Sequence, residues 1–313
     1  MRMDRAFTVL AAALLAIALA GLAVAAVAAP PARTATDTMA AADHAAKALR
    51  DADQFALISG RGNAHACQAG FESLRHAALR GKALDQLTLG ALYLHGRDCG
   101  SFHLARNDHE ASLYLAHAAI QGRLLAMPAL AELDARRGRA LQANVWALAY
   151  LHYAVPAQQN TGYPASLLHR TLGMLSQTQN KQVLADANAF ILRYNAGIEA
   201  GQQQMLAKLQ RHAACRIQLV HRHPHATLWQ PSVLRIHPMH RALVLYLVAF
   251  GRDGHVHKLA PVFAVPQWRY AQRFRVIAEN RRVEPAPACG RALRWALLPV
   301  ELDNHRYRIT GRT

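Results

Sequence analysis

From Thr38 to about His212 the chain shows almost no strand-like alternation, and Ala, Leu and Gln dominate. The stretch reads as helix throughout. Gly81, Gly96 and Gly122 fall at the ends of apolar segments, where a left-handed residue turns the chain out of a helix. Beyond Pro156 the pattern predicts helices over Ala165–Gln177 and from about Asn180 to His212. In the second, Val183, Ala187, Phe190, Ile191, Tyr194, Ile198, Met205 and Leu209 hold a period near 3.6, a packing stripe in which Gly197 and Gly201 are candidate bends. After Cys215 the texture changes to β-branched and aromatic residues. Leu243–Phe250 reads as a strand, Gly251-Arg252-Asp253-Gly254 as a hairpin turn, and His255–Val262 as the returning strand. Trp268–Arg281 reads as an amphipathic helix with Tyr270, Phe274, Val276 and Ile277 on its core face. Leu293–Leu302 reads as the final strand.

Within the helical half lies an internal repeat. Leu74-Arg75-His76-Ala77-Ala78-Leu79-Arg80-Gly81 returns 41 residues later as Leu115-Ala116-His117-Ala118-Ala119-Ile120-Gln121-Gly122. Leu89-Gly90-Ala91-Leu92 returns at the same offset as Leu130-Ala131-Glu132-Leu133. A period of this length in helical sequence signals stacked helix pairs, and the small residues in it let neighbouring helices approach closely.

The chain has 313 residues, 52% hydrophobic and 18% charged, which excludes a disordered, collagen-like or multi-span membrane protein. Its net charge of +17 is concentrated late, because residues 215–313 carry 16 basic against 5 acidic side chains. Where the chain resides decides what that charge meets. Met1-Arg2-Met3-Asp4-Arg5 is a basic start, followed by 24 uncharged residues from Ala6 to Ala29, twelve of them Ala. Ala23-Val24-Ala25 and Ala26-Val27-Ala28 fit an export cleavage site, and Pro30-Pro31 ends any helix. The segment reads as a cleaved signal peptide, with a retained membrane anchor as the alternative, since its length also spans a bilayer. Either way the remainder is exported, so nucleic acid is not the expected partner.

Cys67, Cys99, Cys215 and Cys289 suit an oxidising compartment and permit two disulfides in three pairings, the alternative being four buried thiols. Their spacing is not that of a zinc site. Among the 18 His, His221, His223 and His225 alternate, with His237 and His240 nearby, but Pro224 interrupts the run and no carboxylate or Cys completes a ligand set. His109-Glu110 opens like a zincin helix, yet Leu113 stands where the second ligand belongs. The sequence predicts no metal, no cofactor and no enzyme: neither GxSxG, a phosphate loop nor a spaced carboxylate pair stands out.

Leu89-Gly90-Ala91-Leu92-Tyr93-Leu94-His95-Gly96, Asp108-His109-Glu110-Ala111-Ser112-Leu113-Tyr114-Leu115 and Ala118-Ala119-Ile120-Gln121-Gly122 resemble one Sel-one-like repeat, a relative of the tetratricopeptide repeat. Phe71–Gly81 and Ala126–Tyr150 match more loosely; Asp134 replaces an expected Tyr and Trp146 keeps the second aromatic. Cys99–Asn107 looks like an insertion between the two helices. The resemblance covers about 90 residues and implies a protein-binding solenoid without catalysis. The hairpin it implies, helices over Gln68–Arg80 and Leu84–His95, sets Cys67 just before the first helix and Cys99 just after the second. It thereby implies the pairs Cys67–Cys99 and Cys215–Cys289.

The β-β-α-β order of the last hundred residues, with Gly251-Arg252-Asp253-Gly254-His255-Val256, Arg282-Val283-Glu284-Pro285-Ala286 and Leu298-Pro299-Val300-Glu301-Leu302, resembles the C-terminal domain of TonB-type energy transducers. Val283 replaces the aromatic before the Pro-Ala, and the Pro-rich spacer of a transducer is missing. The resemblance implies that the last strand is an edge that pairs with a partner strand. Leu293, Trp295, Leu297, Pro299 and Glu301 are then the partner-binding residues, unless Trp295 and Leu297 face the core and the edge is capped.

The expected fold is thus multidomain: residues 1–29 as signal or anchor, 30–160 as helical repeats, 161–212 as a helical extension, and 213–313 as a small α+β domain. The expected function is non-enzymatic: a periplasmic adaptor that binds an envelope protein or extended peptide by strand pairing and by its repeat face, in TonB-type transport or envelope assembly. The alternatives are an inner-membrane-anchored transducer held by residues 6–29 and a periplasmic histidine-rich metal or anion binder.

Overall fold

The computed structural model describes residues 52–155, 161–210, 215, 217–220, 241–285, 289, 293–303 and 306–309. The N-terminal segment 1–29 and His221, His223, His225, His237 and His240 lie outside the described residues.

The helical half runs α1 (Ala52–Ser59), α2 (Ala64–Leu79), α3 (Ala83–His95), α4 (Asp108–Ile120), α5 (Ala126–Arg136), α6 (Ala140–Ala154), α7 (Gly162–Leu172) and α8 (Gln177–Gln210). Local chemistry sets several of these boundaries. Asn63 caps α2 by accepting from the Ala66 amide at 2.8 Å, and Asn107 caps α4 by accepting from the His109 and Glu110 amides. The Asn63 cap starts α2 at Ala64, so Cys67 sits in its first turn instead of ahead of the helix.

The 41-residue repeat maps onto equivalent places in two hairpins, α2–α3 and α4–α5. At the first turn the Gly81 amide donates to the Ala78 carbonyl and the Lys82 amide to that of Ala77. At the second, Gly122 and Arg123 donate to Ala119 and Ala118. Gly81 and Gly122 stand at φ 79° and 84°, a conformation that a Cβ disfavours. The insertion between α3 and α4 is a small antiparallel hairpin, β1 (Arg97–Cys99) and β2 (Phe102–Leu104).

Two layers result. Helices α1, α3, α5 and α7 form one; α2, α4 and α6 lie behind, and α8 runs against α4 and α6. α8 runs unbroken through Gly197 and Gly201, which admit it against the end of α4.

The second half forms β3 (Ala242–Phe250), β4 (Val256–Val265), α9 (Arg269–Arg273), α10 (Arg275–Glu279), β5 (Arg294–Asp303) and β6 (Arg306–Ile309). The sheet order is β4-β3-β5-β6, antiparallel throughout. Two expectations change. The single helix over Trp268–Arg281 is two short helices divided at Phe274, which leaves Val276 55% exposed instead of in the core. The strand ending at Leu302 is not the last, because β6 follows and pairs with its C-terminal end.

Every residue of β3 is buried, since both faces of the sheet are covered. On one face lie α9 and α10, where the Tyr246 hydroxyl donates to the Ala271 carbonyl at 2.6 Å. On the other lie the repeats: β4 packs on α1, α3 and α5, and β5 packs on α7. One hydrophobic core therefore runs from Leu57 in α1 to Val300 in β5. Disulfides join Cys67 to Cys99 and Cys215 to Cys289, across separations of 32 and 74 residues. In the chain-entropy picture, closing loops of these lengths stabilises by about 4 kcal/mol each.

Candidate functional site

Alternation along β5 divides the work of its residues. Tyr246 pairs with Leu298 and faces α9, so the even positions Ala296, Leu298 and Val300 share that face. The odd positions face the repeats. Trp295 is 5% exposed and meets the Phe55 ring edge-on at 5.4 Å, with the Lys258 ammonium 5.9 Å from its centroid. Leu297 is buried on the same side, and Leu293 and Pro299 are partly buried. Glu301 is buried and accepts a hydrogen bond from the Tyr163 amide at the start of α7. These side chains join sheet to helices. What β5 leaves for a partner is backbone.

The same register tells which backbone groups those are. In an antiparallel strand a residue's N–H and C=O point to one side together, alternating along the chain. Pro299 has no N–H, yet the β3–β5 pairing runs unbroken through it, from Phe250–Arg294 to Ala242–Leu302. Odd residues of β5 thus turn their amides away from β3, and even residues toward it. The second side of β5 is paired by β6 only over Val300–Asp303. Over Trp295–Pro299 no strand among the described residues occupies it, and the donors there are the amides of Trp295 and Leu297.

The opposite edge of the sheet is closed by side chains from the corner between α3 and β1. The Ala264 amide donates to Nε2 of His95 at 3.3 Å, and Arg97 Nη2 donates to the Pro261 carbonyl at 3.4 Å. Both are outward-facing groups of β4. Burial, together with Arg136, Arg97 and Arg106, pushes the His95 imidazole down to about 3, so at neutral pH its Nε2 is free to accept. Such devices protect an edge from unintended pairing. Sequence reasoning missed both residues. The only local cue is Gly96 at φ 71°, which turns the chain out of α3; nothing nearby announces contacts more than 160 residues away.

The repeat face built by α1, α3, α5 and α7 is occupied by the chain's own sheet. A partner at the repeats would meet the other side, part of which α8 covers. Among the described residues no helix is long and apolar enough to cross a membrane, and no group of three or more His, Cys, Asp or Glu is placed to hold a metal ion.

The fold defines an α/α helical-repeat protein closed on one face by a four-stranded antiparallel sheet. The chain is similar to a protective antigen of uropathogenic Escherichia coli strains that displays an SLR fold, with 20% identity over 48% of this chain and a TM-score of 0.35. It spans 29% of that antigen. No protein family and no curated protein matches the chain.

Proposed function

We propose that this chain is a non-enzymatic, exported adaptor of the cell envelope that captures an extended, acidic peptide segment by adding it as a strand beside β5. The physics is β-augmentation: main-chain hydrogen bonds hold the peptide, and neighbouring side chains select it. The observation that carries the reading is the stretch Trp295–Pro299, where β6 does not reach, on a sheet whose other edge is closed by His95 and Arg97. Its Sel-one-like repeats act as the platform on which the sheet is mounted. The 16 basic against 5 acidic residues beyond Cys215 steer an acidic segment toward it. Two disulfides support residence in an oxidising periplasm. The likeness of the Asp253-Gly254, Pro285-Ala286 and Leu298-Pro299-Val300 motifs to TonB-type domains supports a place in outer-membrane transport or envelope assembly.

Amide hydrogen exchange tests the edge without knowledge of the partner. Trp295 and Leu297 exchange fast while Ala296 and Leu298 are protected. Equal protection of all four would mean the edge is already paired and would end the proposal. Leu297→Pro removes an outward donor while sparing the β3 ladder. In cells it abolishes the crosslinked adduct that a photoreactive side chain placed at exposed Arg252 forms with the parent chain, provided circular dichroism shows the variant folded. An undiminished adduct from the folded variant speaks against strand addition.

A further inference from the structure

β6 pairs with the C-terminal end of β5 in one register: Asp303 opposite Arg306, Leu302 opposite Tyr307, Glu301 opposite Arg308 and Val300 opposite Ile309. Thr310-Gly311-Arg312-Thr313 follow Ile309 in the sequence. Carried on in the same register, they fall opposite Pro299, Leu298, Leu297 and Ala296 in turn. This is the stretch of β5 whose second side no strand among the described residues occupies. The odd positions of β5 turn their backbone groups to that side, as Glu301 does toward Arg308. Arg312 and Leu297 would therefore exchange two hydrogen bonds. The Thr310 amide would donate to the Pro299 carbonyl with nothing returned, because Pro299 has no N–H. Trp295 lies opposite none of these residues.

We infer that residues 310–313 continue β6 along β5 and reversibly cover Ala296–Pro299, so that an incoming peptide must displace them. The inference rests on the reading of this edge as a peptide-binding site and adds its regulation. β6 delivers the segment already aligned, so no loop has to be closed to bring it there. Two of its residues are threonine, a strand former, and none is proline. The same residues make the cover weak. Pro299 takes one bond out of the ladder where the β6 pairing stops, and Gly311 adds backbone freedom opposite Leu298. Arg312 is a cation in a half with 16 basic against 5 acidic residues, which an acidic peptide would favour and a basic tail does not. The edge is thus guarded against chance pairing yet yields to a matched strand.

Amide exchange on the full, disulfide-bonded chain tests this, with a chain ending at Ile309 and the variant Arg312→Pro beside the parent. Closure is partial, so Leu297 in the parent still exchanges far faster than Ala296. Both changes speed Leu297 by about threefold or more and leave Trp295 as it was. Glu301, opposite Arg308 in β6, keeps its protection in both. Should removal of the four residues loosen Glu301, Arg312→Pro decides, since it keeps the length of the chain. An unchanged Leu297 rate in Arg312→Pro overturns the inference, as does an equal acceleration of Trp295. The photocrosslinked adduct at Arg252 is the second readout, and its yield rises at least twofold in the chain ending at Ile309. An unchanged Leu297 rate with an adduct still lost in Leu297→Pro removes the tail's role and spares the adaptor. Faster Leu297 exchange with an adduct indifferent to every change removes the adaptor reading, and the regulation with it.

Discussion

Gly201 shows how finely the helical half is fitted. A Cβ at that position would stand 2.0 Å from the Gln121 carbonyl oxygen, at the end of α4, and one at Gly197 would stand 3.1 Å from that of Ile120. These are backbone atoms of a packed helix end and cannot move aside as a flexible side chain would. Gly201→Ala gains about 1 kcal/mol of helix propensity, but forcing the helices apart costs more, and overpacking of this kind destabilises by about 1–3 kcal/mol. The expected net effect is a lower urea midpoint. Gly173 supplies the contrast, because a Cβ there meets only the Arg170 carbonyl at 3.9 Å and its φ of −65° suits any residue. Gly173→Ala leaves the midpoint unchanged or raises it slightly. If both variants unfold at the same urea concentration as the parent, close helix approach is not what Gly201 provides.

Between elements, the joint of α3 to β4 carries a pH dependence. His95 in the folded chain titrates near 3, against 6.5 when unfolded, because burial and neighbouring arginines penalise its cationic form. The unfolded chain therefore binds a proton between these values and the folded chain does not. Stability from this residue is fully present above pH 6.5 and is lost as pH falls toward 3. For a side chain that retains some solvent contact, the loss between pH 7 and pH 4.5 is about 2 kcal/mol. Protonation of Nε2 would also eject the Ala264 amide and open the outer edge of β4. His95→Gln removes this share of the acid sensitivity, seen as a shallower slope of unfolding free energy against pH. A slope identical to the parent's would show that His95 does not set it.

At the scale of the whole molecule, sheet and repeats depend on one another. Phe55 on Trp295, Glu301 on the Tyr163 amide, and β4 on α1, α3 and α5 join the two halves into one core. The Tyr163 hydroxyl and Arg170 both donate to buried Glu132 at 2.6 Å, which holds α7 to α5 beneath the sheet. A fragment ending at Gln210 exposes the layer that the sheet covers. It is expected to bind a hydrophobic dye and to melt at a lower temperature, with less cooperativity, than the full chain, which unfolds in one transition. A fragment melting as sharply and as high as the parent would mean that the repeats stand alone.

The sequence by itself determined whatever depends on neighbours along the chain. The 41-residue recurrence appears as two hairpins with matching glycine turns, because Leu74, Ala77, Ala78 and Gly81 meet the same local demands as Leu115, Ala118, Ala119 and Gly122. The hairpin ends brought Cys67 and Cys99 together, and Asp253-Gly254 turned β3 into β4. The β5 strand was legible, and so was its alternation. Only the tertiary structure decided what each face of that alternation meets. Trp295, Leu297 and Glu301 are apolar or acidic on any edge; they become joint residues because α1 and α7 arrive from 130 or more positions away. β6 was missed because Arg306–Ile309 is short and half charged, so its place comes from pairing with β5 and not from its own composition. His95 and Arg97 closing the far edge were likewise illegible, since a hydrogen bond to a distant backbone leaves no periodicity in the residues that make it.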